Sequence, residues 1–227
     1  ERFFLRAAPQ AARRRRCAQG LHREPPMPAD GLHEYVIKRN GEPIGTLKID
    51  FRRDGRRLVA KSNYSIKIKL LSIVLYRYDK VMTETYQDAT LIAYETGIDD
   101  NGTKSEVRVS RSPDGLAIVH PKGRLSVALG LLPSTYWPTA TVNQTRLIDS
   151  SDGVLVSVKT SEPTTENLDI DGRGVTAKRY TMSGDLMREL WYDANDGTWL
   201  KLKMKASDES TLEFERDWPP VWKRDLH

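Results

Sequence analysis

Residues 189–215 read ELWYDANDGTWLKLKMKASDESTLEFE, and this stretch decides the fold. From Leu200 to Lys205 the apolar Leu200, Leu202 and Met204 alternate with Lys201, Lys203 and Lys205. An extended strand therefore sends three apolar side chains to one face and three ammonium groups to the other, whereas a helix would mix the two sets. Upstream, Glu189 to Asp193 reaches a turn at Asn195-Asp196-Gly197. Downstream, Ser207-Asp208-Glu209-Ser210 turns the chain into Thr211 to Glu215, where Leu212 and Phe214 alternate with Glu213 and Glu215. Three strands joined by two short turns make a β-meander.

Working outward, the same period continues. Tyr35 and Ile37 alternate ahead of Asn40-Gly41, and Leu47, Ile49 and Phe51 alternate with Lys48, Asp50 and Arg52 up to Asp54-Gly55. Leu58 to Leu70 reads as a long strand, Val74 to Thr85 as its return through Tyr76, Tyr78 and Met82. Leu91 to Thr96, Glu106 to Arg111 and Leu116 to Val119 follow, with turns at Asp99 to Gly102 and Pro113-Asp114-Gly115. Turn signals at 152, 172, 184, 196 and 208 keep the rhythm of a sandwich or barrel. The prediction is an all-β fold, a highly curved antiparallel meander sheet or open β-barrel with few or no helices. Residues 31–217 are expected to form a single β domain. Residues 1–30, Arg- and Pro-rich without periodicity, read as a disordered leader of the kind an upstream extension or a misread signal region would give. In the tail, 218–227, Trp218-Pro219-Pro220-Val221-Trp222 is expected to pack indoles on an edge, since its prolines exclude a central strand.

Charge narrows the partners. The pI near 9.2 suggests nucleic acid until the charges are counted by region. Residues 1–30 hold seven Arg against three acids, leaving 29 basic against 28 acidic residues in the rest. The body is neutral, with lysines interleaved among acids and aliphatics, so no nucleic acid is expected. The single cysteine, Cys17, excludes an internal disulfide. The apolar runs Leu70 to Tyr76 and Val127 to Leu132 are too short for a transmembrane helix, and short strands without aromatic girdles argue against an outer-membrane barrel.

Catalytic carriers are scarce. Among the four histidines only His120 lies well inside the patterned region, next to Pro121 in a turn, and neither HExxH nor GxSxG occurs. Asp169, Asp171 and Gly172 superficially resemble a calcium loop but lack its remaining ligands; they and Asp99-Asp100-Asn101 read as hairpin turns. Neighbouring carboxylates occur in turns, where solvation gives no division between acid and base. A non-catalytic protein without cofactor or metal is expected.

Residues 121–145 interrupt the strands, with an apolar run to Leu132 followed by Tyr136-Trp137-Pro138. Such a stretch either covers the open end of a core or gates a cavity. On the second reading the interior holds a lipid or other apolar small molecule, and Leu131, Leu132, Tyr136, Trp137 and Trp191 are the candidate ligand-binding residues. Trp137→Ala is then expected to weaken binding of a lipophilic probe at an unchanged thermal midpoint. A second expectation is an interaction module in which Trp191, Trp199 or an edge strand docks an envelope protein by strand addition. A third, an enzyme using His120 with nearby carboxylates, requires those groups to converge in a pocket.

The order of pieces also resembles uncharacterised exported bacterial β-proteins classed as domains of unknown function. The resemblance is carried by Tyr35-Val36 with Gly41 and Ile44-Gly45, by IKIKLLSIVLYRYDKVMTETYQDATL at 66–91, by STYWP at 134–138, and by GVTAKRYTMSGDLMRELWYDANDGTWLKLKM at 174–204. These families are similar in form to the curved sheets of periplasmic lipoprotein carriers and lipocalin-like proteins. The resemblance implies a signal-bearing periplasmic protein of Gram-negative bacteria, with no catalytic residues to carry over.

Overall fold

The computed structural model describes residues 31–71 and 73–218. The expectations for the 1–30 leader and for the tail beyond Trp218 lie outside those residues. The strands are β1 (Leu32–Arg39), β2 (Glu42–Asp54), β3 (Arg57–Leu70), β4 (Ile73–Gln87), β5 (Thr90–Asp100), β6 (Thr103–Ser112), β7 (Gly115–His120), β8 (Gly123–Val127), β9 (Arg146–Ile148), β10 (Leu155–Thr160), β11 (Thr164–Ile170), β12 (Arg173–Gly184), β13 (Arg188–Asp193), β14 (Trp199–Lys205) and β15 (Thr211–Asp217). A 3-10 turn, Thr139–Asn143, is the helical segment among the described residues.

Fourteen of the strands form one antiparallel path, β8-β7-β6-β5-β4-β3-β2-β1-β15-β14-β13-β12-β10-β9, with β11 paired beside β12. Two-residue turns with positive φ at both positions make several of the corners, as at Asn40 (φ 50°) and Gly41 (φ 89°) or Asp171 (φ 53°) and Gly172 (φ 72°). This is the mirror-image turn whose twist matches that of the flanking strands. Asp171-Gly172 is thus a hairpin corner.

The sheet curls until its ends share one core. Leu116 and Ile118 of β7 belong to the same buried cluster as Leu147 and Ile148 of β9, Tyr35 and Ile37 of β1, and Leu190 and Tyr192 of β13. Outward faces carry charge, and at the β1–β15 pair Lys38 meets Glu215 at 2.8 Å while Lys201 reaches Glu213 at 3.1 Å and Glu215 at 3.3 Å. On that outer side the β11–β12 hairpin covers a second, small cluster of Ile170, Ala177, Trp191 and Leu200, with Trp218 packed against it.

The stretch expected to be wholly irregular contains β8, and beyond it the chain leaves the sheet and enters the barrel. Leu132, Tyr136 and Trp137 are buried. Ser134 N–H donates to Ile148 O at 3.0 Å and Ile148 N–H to Leu132 O at 3.0 Å, a parallel bridge that extends β9. Residues 132–137 act as an internal plug.

Candidate functional site

Strand β4 runs through the middle of the barrel wall, and its inward positions carry charge. Period-2 geometry puts Lys80, Met82, Glu84 and Tyr86 on one face. All four are buried, while Val81 between them is 46% exposed. Lys80 and Glu84 are exceptions to the expected aliphatic and aromatic interior with charges outside, which most of the core follows.

Glu84 is flanked by Ala60 of β3 and Tyr94 of β5. Its carboxyl group accepts from Tyr86 OH at 2.5 Å, Trp137 Nε1 at 2.9 Å and Thr135 Oγ1 at 3.2 Å. Two of those donors belong to the plug, so Glu84 latches the plug to the wall. Trp137 is 1% exposed, with its ring 4.9 Å from Phe51 and 5.4 Å from Tyr86. Burial pushes the Glu84 carboxyl up to about 7, against the pull of its three hydrogen bonds and of Lys80.

Lys80 lies four residues earlier, two repeats of the pleat from Glu84, between Tyr64 of β3 and Ile98 of β5. Its ammonium donates to Ser150 Oγ at 2.7 Å and Ser151 Oγ at 3.2 Å and sits 5.4 Å from the centre of the Tyr64 ring. Burial pulls it down to about 8, opposed by the charges of Asp149 and Glu84.

Between Lys80 and the barrel end lies a cavity of about 680 Å³. Ile44, Ile66, Ile68, Leu75, Leu202, Met204, Leu212 and Phe214 make its aliphatic and aromatic walls together with Tyr64, Tyr76, Tyr78 and Trp199. Ser134, Tyr136, Ser150 and Ser151, from the plug and the turn after β9, bound it beside Lys80. Arg39 and Arg188 also reach it; Arg39 is engaged with Asp208 and donates to Ser210 Oγ at 3.0 Å. The β3–β4 hairpin runs on past the cavity wall, where Leu71 and Ile73 are 93% and 67% exposed.

Of the residues expected to bind a ligand, Tyr136 lines this cavity. It holds a left-handed backbone (φ 56°) and its carbonyl accepts from Tyr192 OH at 2.7 Å. Leu131 borders a separate depression of about 570 Å³ between the end of β8 and Arg146 and Leu155. Leu132 and Trp137 are core, so the expectation of an unchanged thermal midpoint for Trp137→Ala is corrected: the indole holds the plug. Trp191 faces away from the main core into the outer cluster and donates through Nε1 to Glu166. His120 shares a shallow surface depression with Glu106, which pairs with Arg108 at 3.1 Å, and its Nδ1 is buried without a hydrogen-bond partner.

The residues missed were Lys80 and Glu84. The signal was available, because both share the parity of Tyr76, Tyr78, Met82 and Tyr86 in YRYDKVMTETY.

Comparisons with known proteins bear on the fold. The family described as "Domain of unknown function (DUF6134)" matches residues 35–217. Among solved structures, the beta-barrel-like protein of the domain of unknown function DUF1849 from Brucella abortus is similar, with a TM-score of 0.54 at 9% identity, over 82% of this chain and 94% of that one. That likeness is one of fold. A comparison with the curated proteins finds no match. No helix among the described residues is long and apolar enough to cross a membrane.

Proposed function

The chain belongs to the DUF6134 family, and from that premise we propose that it is a non-catalytic protein of the bacterial envelope that holds a lipid or other apolar molecule inside its curved sheet. The observation that carries the reading is the cavity of about 680 Å³ with aliphatic and aromatic walls, in the size range of small-molecule sites. A filled core would close such a space, since interiors pack to near crystal density. The envelope location is supported by the resemblance of 66–91 and 174–204 to exported β-proteins.

The test is native mass spectrometry with lipid extraction on the full chain, produced in a Gram-negative bacterium and purified without detergent. A stoichiometric apolar adduct is expected. A clean unliganded mass, together with no displacement of a lipophilic fluorescent probe, would overturn the reading.

The second reading, docking of an envelope protein by strand addition, is favoured by one observation. β8 ends the sheet path, and Arg124 and Ser126 on it are exposed. A photo-cross-linker at Ser126 would capture a specific partner if this edge is used, and none if it is not.

A further inference from the structure

Resting on the cavity as a ligand site, we infer that Lys80, with Ser150 and Ser151, forms a head-group site for the carboxylate of a single-chain amphiphile whose hydrocarbon lies among Ile66, Ile68 and Phe214. Three observations carry it. Lys80 is 4% exposed, yet its hydrogen-bond partners are two neutral hydroxyls, at 2.7 and 3.2 Å. An ammonium in such a place costs free energy unless an anion joins it. Asp149, the carboxylate bordering this part of the cavity, acts on the ammonium through its field and not by direct contact, because its hydrogen bonds are made within its own turn. Its Oδ1 accepts from the backbone N–H of Ser151 at 2.8 Å and of Asp152 at 3.3 Å. Finally, the ionisable cavity residues include the cations Arg39, Lys80 and Arg188 and the carboxylates Asp149 and Asp208, a net charge of +1. One monoanion neutralises the set. A phosphate monoester, with close to two negative charges at neutral pH, overshoots it.

The experiment compares palmitate, methyl palmitate and hexadecyl phosphate on the full chain by titration calorimetry. Palmitate is expected to bind about tenfold or more tighter than its ester, the scale of one charge-assisted hydrogen bond. Lys80→Met should abolish the preference for palmitate over its ester. Equal binding of acid and ester to the native chain, or a preference that survives Lys80→Met, overturns the head-group site while the cavity stands. Binding of neither overturns both. Tighter binding of hexadecyl phosphate than of palmitate overturns the carboxylate assignment. A measurement that needs no variant is the carboxyl carbon resonance of labelled palmitate. In the complex it should keep the ionised position to lower pH than in free solution, and a carboxyl that protonates more readily when bound would overturn the site.

Discussion

Glu84 and Lys80 stand on the same face of the same strand, four residues apart, and both are buried; what surrounds them differs. Glu84 has three donors from its own chain and is not among the residues that line the cavity, whereas Lys80 has two hydroxyls and borders it. The first arrangement is complete, and its work is to hold the plug. The second is complete only for a neutral amine or for an ammonium that meets an anion. Burial of a charge is therefore not by itself the mark of a site. The mark is burial with the polar partners left short and open space at hand.

The comparison is broken most forcefully at the latch. Glu84→Ala leaves Tyr86 OH, Thr135 Oγ1 and Trp137 Nε1 without their acceptor, and about 3–5 kcal/mol of stability should be lost in denaturant titration. Trp137→Ala should cost a similar ~3–5 kcal/mol by emptying the plug. A loss under about 1 kcal/mol for both would make the plug a mobile gate after all.

Acidity sharpens the contrast. The folded Glu84 value, about 7, lies above its ordinary 4.5, so folding favours the protonated form. That contribution is full below pH 4.5 and is lost as pH rises through 7. The stability of the native chain relative to Glu84→Gln should therefore fall by about 3 kcal/mol between those limits. Taking the difference cancels His33. Burial and Arg216 hold that group down to about 3, so its contribution is lost as pH falls from 6.5 towards 3. A flat difference would mean that Glu84 is not desolvated.

At the cavity the expected effect on stability is smaller. Lys80→Met removes a desolvated cation whose burial costs free energy and leaves two hydroxyls that can turn to each other or to water, so the unliganded chain should keep its stability or gain up to about 2 kcal/mol. A loss as large as that of Glu84→Ala would erase the distinction between the two positions. Smallest of all, Leu71→Ser at the exposed hairpin end should stay within about 0.5 kcal/mol.

The fold was legible because it is written locally. Alternation in LKLKMK and the turn chemistry of Asn40-Gly41 and Asp171-Gly172 specify strands and corners within a few residues of themselves. The plug was only half legible. Its aromatics announce burial, but whether Trp137 meets a ligand or Glu84 depends on a carboxylate 53 residues away. The same limit applies to Trp191, whose indole fits either face of a strand until β11 is seen to cover one of them. Lys80 and Glu84 were passed over because charge was taken as the sign of an outer face; their parity with Met82 said otherwise, and the exposed Val81 confirms it.

The middle of the sheet joins the two most distant parts of the described chain, with Tyr35 of β1 opposite Arg216 of β15. From this seam one arm runs outward in order from β1 to β8 and the other returns from β15 to β9. Of the described strands, a ribosome makes β1 first and its seam partner last. Through most of synthesis β1 therefore has only β2 beside it, and its other edge waits open for a strand not yet made. The barrel cannot be tested for fit, plug and cavity included, until β15 is available to close the seam.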